Sequence, residues 1–400
     1  MSSAIDEIGV LCERVYQTGS LLVRGTPTIA SWVLGWLAAE FGPHVLTGHA
    51  LSALPSPLEP LACGLAAQRA DTALDDSLRE AFGDAYASAV HHPLEPYTAR
   101  RPNLAGVVEA MRHRRRYAAE TTNISYGPGG RSHLLDIWRR PDLPAGLRAP
   151  VLIQIPGGGW SINHKRGQAY PLMSRMAELG WICVSINYSR SPCNAWPAHI
   201  VDVKRAIAWV RDNIAGYGGD PNFIAVTGGS AGGHLCSLAA LTAGDPDLQP
   251  GFEQADTSVQ AAVPHYGLYD LTNLEAMHEL TVPLLETMVM RANFAGNREL
   301  FEQASPIFRV HRQAPPFFIL HGEADAVVPH AQAQAFSAAL RQAGVRPVAY
   351  AEIPNAPHAF DIIATLRCQL AAEAVAAFLG VVYGRHTAAR RRRAAVSSAS

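Results

Sequence analysis

FIAVTGGSAGGHLCSL, residues 223–238, is the stretch on which the reading of this 400-residue chain turns. A short β-branched and aromatic run, Phe223 to Thr227, meets Gly228-Gly229-Ser230-Ala231-Gly232 and then a helix-forming segment. The order is strand, tight turn, helix, with Ser230 at the turn. Holding a serine hydroxyl clear of a sheet requires so sharp a backbone reversal that side chains two residues either side would collide, hence Gly228 and Gly232. The same turn leaves N–H groups free at the start of the following helix, where they favour developing negative charge, and Ala231 N–H is one such donor. A G-x-S-x-G match in a chain with 33 glycines is a weak signal alone, so the remaining residues must supply the partners of a nucleophilic serine.

Bulk properties narrow the field. A chain of this length buries a large core and holds one big domain with an appendage, or two domains. With 48% hydrophobic and 17% charged residues it is globular, and a net charge of −1 supplies no field for a polyanion. Nucleic acid is therefore not expected as a partner, and a small ester-like molecule is. The start, MSSAIDEIGVLCERVY, lacks a basic segment followed by an apolar one, and Ile29 to Ala39 is too short to cross a bilayer. Six scattered cysteines without metal-type spacing read as reduced thiols, and a cytoplasmic location is expected. No metal or organic cofactor is expected.

Residues 1–115 read as a helical appendage or cap, with apolar helical segments at Ile29 to Phe41 and Leu58 to Ala70 broken by Pro55, Pro57 and Pro60. A lid, a dimer surface and an amphipathic patch on a membrane are all compatible with it. Arg112 to Arg116 form a basic cluster on a solvated edge. From residue 116 to 384 the chain reads as an α/β domain. Tyr117 to Tyr126 and Ser132 to Trp138 form an antiparallel pair. Buried strands follow at Val151–Ile155, Trp181–Tyr188, Phe223–Thr227, Gln260–Tyr266, Phe317–Leu320 and Val348–Ile353. Helices lie between them, an irregular insertion covers 271–309, and a closing helix runs from Ile362 to Leu379. Such alternation gives a mostly parallel, eight-stranded sheet covered by helices on both faces. Residues 385–400 carry Arg390 to Arg393 and read as a disordered basic tail that leaves peripheral contact with a membrane or cell envelope open.

Reactive groups in such sheets gather at the carboxyl ends of strands. Of 16 histidines only His265, His321, His330 and His358 fall there, and His358, in a proline-bracketed loop after the last strand, is the candidate base. His321 and His234 read as structural. Asp325 is the candidate acid because it lies deep in the loop after His321-Gly322; Glu323 and then Asp270 are the fallbacks. Ser230, Asp325 and His358 follow one another in the nucleophile, acid, base order of one particular fold.

With PGGGW at 156–160, NYSRSPCNAWPAHIVDVKRAIAWV at 187–210, GGSAGG at 228–233, HGEADAVVP at 321–329 and PHAF at 357–360, residues 117–383 resemble the α/β-hydrolase serine esterases. The branch is the hormone-sensitive-lipase-like and bacterial carboxylesterase one, and the chain is similar to mycobacterial-type Lip esterases. The resemblance implies hydrolysis of short to medium acyl esters through an acyl-enzyme, and an oxyanion hole made by the N–H groups of Gly158, Gly159 and Ala231. Loss of one such donor typically costs about 3–4 kcal/mol in the transition state. It also implies Trp160, Tyr188 and Tyr266 as candidates for the substrate pocket, each equally readable as core. One departure stands out: the usual histidine of the HGGGW run is Pro156 here, which donates nothing. The acid motif is shared with feruloyl-esterase-like and formamidase-like relatives, so an amidase using the same triad is the alternative activity. A hydrolase-like binding protein without turnover is the alternative from another class. Oligomeric state is not legible.

Overall fold

A computed structural model describes residues 58–94, 97–102, 106–144, 146–162, 164–273, 277 and 281–399. The expected helix at Ile29–Phe41 lies outside them. Among the described residues eight strands form one sheet: β1 Ile124–Ser125, β2 Leu134–Trp138, β3 Ala149–Ile155, β4 Ile182–Ile186, β5 Gly219–Gly229, β6 Ala261–His265, β7 Phe317–Gly322 and β8 Val348–Ile353. Their order across the sheet is β1-β2-β4-β3-β5-β6-β7-β8. Only β1–β2 and β2–β4 pair antiparallel; from β4 to β8 every pair is parallel. This agrees with the sequence, because β3, β4, β6 and β7 are buried along their whole length and therefore carry apolar side chains at nearly every position rather than at alternate ones.

Helices cover both faces. α1 spans Leu58–Phe82, α2 Gly106–Tyr117, α3 Tyr170–Glu178, α4 Ala198–Asn213, α5 Ala231–Leu241, α6 His330–Gln342 and α7 Leu366–Ala399. On α4 the apolar positions Ile200, Val203, Ile207 and Val210 recur at helical spacing, and all four are fully buried against one sheet face. The opposite face carries α1, α3 and α7, whose Leu74, Leu78, Met173, Met176, Val375 and Phe378 close over Trp181, Phe223 and Phe318. The central strand β5 is thus wrapped on both sides and its carboxyl end is fixed in space.

In the described part of residues 1–115, α1 packs on the sheet: its Ala70, Leu74 and Leu78 belong to the same core cluster as β6, β7 and β8. Two expectations are corrected. The strand expected from Tyr117 to Tyr126 shrinks to Ile124–Ser125, because Gly106–Tyr117, including the arginine cluster, winds as α2 against α3 and buries Ala110 and Tyr117. The basic tail is helical through Ala399 instead of disordered. Alanine and arginine are strong helix formers, and they extend a helix already nucleated and packed from Leu366 to Tyr383, so nothing stops it. Arg390 Nη1 also meets Asp220 Oδ2 at 2.7 Å. α7 is long and apolar enough to cross a bilayer, but 83% of its apolar window is packed inside the fold. The four cysteines whose side chains are described, 183, 193, 236 and 368, carry free thiols.

Candidate active site

The turn between β5 and α5 takes the form its glycines require. Ser230 sits at φ 58°, ψ −123°, a region that a non-glycine residue adopts only when its surroundings hold it there. A Cβ on Gly228 would lie 2.5 Å from Gly232 O, and one on Gly232 would lie 2.2 Å from Ile155 O, so any larger residue at either position would block the reversal. Ser230 N–H donates to His265 O at 3.0 Å, tying the elbow to the end of β6.

The three residues singled out from the sequence converge. His358 Nε2 lies 2.9 Å from Ser230 Oγ, and His358 Nδ1 lies 2.7 Å from Asp325 Oδ2. The carboxylate therefore accepts a hydrogen bond from Nδ1–H and leaves Nε2 free to accept from the hydroxyl. Asp325 is locked in turn: its Oδ1 accepts from the N–H groups of Val327 and Val328, each at 2.8 Å, and His321 Nε2 stands 3.2 Å from its Oδ2. Burial alone would raise the Asp325 carboxyl, but the His358 charge and the hydrogen bonds from His321 and His358 outweigh it and hold the group far below the ordinary carboxylate range. His321 is the strand-end structural residue expected, sharing its Nε2–H between Asp325 and Val328 O at 2.9 Å. The fallback acids point elsewhere. Glu323 accepts from Asn355 N–H, and Asp270 folds back on Thr272.

Beside the elbow, the loop after β3 carries Gly158 and Gly159 at φ 95° and 58°, left-handed positions that suit glycine and turn the chain towards Ser230. With proline in place of histidine at 156, the loop is held by three other bonds. Tyr188 OH donates to Pro156 O at 2.9 Å, Gly157 N–H donates to Gln168 Oε1 at 2.7 Å, and Trp160 Nε1–H donates to His234 Nδ1 at 3.2 Å. A Cβ on Gly157 would lie 2.4 Å from Gly229 O, so this loop and the end of β5 are in direct contact. Trp160, Tyr188 and Tyr266, named from the resemblance as pocket candidates, are all buried, at 2%, 3% and 1% exposure. Trp160 and Tyr188 brace the glycine loop, and Tyr266 packs edge-on to His358 with ring centres 4.7 Å apart. His234 is a core residue as expected, its Nε2–H donating to Ala304 O at 2.7 Å.

Sequence reasoning missed Gln168 and Asp361. Gln168 lies in no motif. Asp361 follows His358 by three residues, a spacing with a meaning only once β6 is seen to deliver His265 and Tyr266 beside it.

The fold and this arrangement define a serine hydrolase scaffold of the α/β-hydrolase class. Residues 135–340 match the family model described as BD-FAE. The chain is 61% identical over 385 residues, 96% of its length and 91% of the relative's, to "Esterase LipQ" of Mycobacterium tuberculosis (strain ATCC 25618 / H37Rv). It is 48% identical, over 90% of its length and 88% of the relative's, to "Probable carboxylic ester hydrolase LipM" of the same organism. Among solved structures, a "Truncated form of carbohydrate esterase from gut microbiota" superposes with a TM-score of 0.54 at 27% identity, covering 66% of this chain and 94% of that one. The chain belongs to this family of α/β-hydrolase esterases and is an ester hydrolase.

Proposed function

We propose that the chain hydrolyses small-molecule carboxylic esters of short to medium acyl length through a covalent acyl-enzyme on Ser230. As His358 Nε2 takes the hydroxyl proton, Ser230 Oγ attacks the ester carbonyl, and the resulting oxyanion is received by the N–H groups of Gly158, Gly159 and Ala231. The imidazolium, steadied by Asp325, returns its proton to the leaving alcohol. A water molecule then gives a proton to His358 and attacks the acyl carbonyl; as the acyl–Oγ bond breaks, His358 returns that proton to Ser230 Oγ and the acid leaves. The observation that carries this reading is the unbroken chain from Ser230 Oγ through both imidazole nitrogens to a buried carboxylate, at 2.9 and 2.7 Å. A modest acyl pocket is supported by Leu284, whose Cδ2 would stand 3.3 Å from a Cβ on Gly159 and so bounds the glycine loop on one side.

The test is turnover of p-nitrophenyl acetate, butyrate and octanoate by wild type and Ser230→Ala. The variant should fold normally and lose activity on all three, with the wild type fastest on the shorter two. Full activity in Ser230→Ala would end the reading. Peripheral contact with an anionic bilayer is part of the same proposal: Arg391 to Arg393 are exposed on the end of α7, and each would contribute about 1 kcal/mol at such a surface. Co-sedimentation with phosphatidylserine vesicles, and its loss on changing those three to Gln, tests it.

A further inference from the structure

We infer that Tyr266, Asp361 and His265 form a second brace on His358, so that the imidazole is positioned from two sides rather than from Asp325 alone; the inference rests on the Ser230–His358 reading above. Asp361 lies in the His358 loop, three residues on. Its Oδ1 accepts from the Tyr266 hydroxyl and its Oδ2 stands 2.5 Å from His265 Nδ1. Both partners come from one place, the carboxyl end of β6, and that same end accepts the Ser230 N–H through His265 O. The brace therefore couples the loop carrying the base to the turn carrying the nucleophile.

Tyr266 transmits it. Its ring meets His358 edge-on at 4.7 Å and Phe360 at 5.5 Å, and its hydroxyl end occupies the space a side chain on Gly229 would need, 2.5 Å from that Cβ position. Its φ of 37° is unusual for a bulky residue and places the ring between elbow and base. Tyr266 is a positioning residue: it touches the imidazole, not the reacting atoms.

The groups around His358 come from every neighbouring element. β7 and its loop contribute His321 and Asp325, with Glu323 turned to Asn355. β6 contributes His265 and Tyr266; the base's own loop contributes Asp361; α7 contributes Cys368, whose thiol donates to Asp361 O at 3.2 Å. Glu352 at the end of β8 is engaged by His330 and Tyr350. Asp361 is thus a second, half-buried carboxylate in the loop that carries the base. Burial opposes its charge, yet the facing His265 and the Tyr266 hydroxyl hold it below the ordinary carboxylate value.

The experiment measures kcat and KM on p-nitrophenyl butyrate from pH 5 to 9 for the full chain, Tyr266→Phe and Asp361→Asn, with thermal unfolding of each. Tyr266→Phe keeps the ring and removes only the bond to Asp361; kcat should fall about tenfold with KM within about twofold and little change in Tm. Asp361→Asn should likewise lower kcat several-fold with KM nearly unchanged. Wild-type kcat in Tyr266→Phe, or in a folded Asp361→Asn, overturns the proposal. If Asp361→Asn does not fold, Tyr266→Phe decides. Labelling of Ser230 by a fluorophosphonate in the wild type keeps the two questions apart: its failure sinks the serine reading, whereas a normal adduct with a silent Tyr266→Phe sinks only the brace.

Discussion

Trp160 Nε1–H donates to His234 Nδ1 at 3.2 Å, and this one bond joins the glycine loop after β3 to the helix that starts at Ala231. The proposed oxyanion donors lie on these two separate segments, so their spacing depends on it. Trp160→Phe preserves most of the packing and removes the bond. Steady-state kinetics on p-nitrophenyl butyrate should give a kcat reduced roughly tenfold with KM nearly unchanged, since misplacing a donor weakens the transition state more than ground-state binding. A rise in KM at constant kcat would instead mean that Trp160 acts on binding.

Asp325 and Glu323 are two residues apart and only Asp325 reaches His358. Asp325→Asn should lower kcat by about 10³ to 10⁴, because the imidazole loses the acceptor that fixes its tautomer. Glu323→Gln should stay within about twofold of wild type. The Asp325 carboxyl is held well below its unfolded value, so it remains ionised throughout the working range; its contribution to stability is fully present above the unfolded value of about 3.9 and is lost as pH falls from there through the depressed folded value. The acid limb of the rate profile therefore does not report this carboxylate.

Burial depresses His199 and His234 to about 4 each, partly offset by Asp202 and by the Ala304 carbonyl respectively. Burial, with Arg175 and His91 nearby, takes His92 to about 3. Unfolded histidines titrate near 6.5, so between about pH 6.5 and 4 the unfolded chain binds more protons than the folded one. Stability is full above that window and falls within it, on the order of 1 kcal/mol per pH unit for each group. Differential scanning calorimetry should record a Tm that is flat from pH 8 to 7 and drops steadily from 6 to 4.5. A Tm unchanged to pH 4.5 would mean that these rings are not held neutral.

Gly232→Ala places a methyl group 2.2 Å from Ile155 O, a backbone atom of a central strand that cannot swing away. Chemical denaturation should give a loss of at least about 2 kcal/mol, or no soluble protein. The exposed Gly216, with nothing within 4 Å of an added Cβ, should accept alanine within about 0.5 kcal/mol.

The parts of the fold legible in the sequence are those with local causes. The Gly228-to-Gly232 turn, the continuous apolar runs of β3 and β4 and the helical spacing on α4 each declare themselves within a dozen residues. Ser230, Asp325 and His358 could be selected because each follows a strand, and strand ends converge in a parallel sheet. Long-range partners left no local mark. That Gln168 and Tyr188 replace a missing histidine at position 156, or that Asp361 meets His265 across 96 residues, depends on which strands become neighbours. Four adjacent arginines suggest a solvated coil, yet the end of α7 is helical. What matters there is the packed helix before them, which supplies the nucleus a short basic segment lacks.

The central claim is that Ser230 becomes a nucleophile through His358. Peptide mass spectrometry after reaction with a fluorophosphonate measures this most directly. The account predicts one phosphonyl adduct, on Ser230, formed fast in the wild type and slowed by several orders of magnitude in folded His358→Ala. An adduct on another residue, or equal labelling rates in the two proteins, would contradict it.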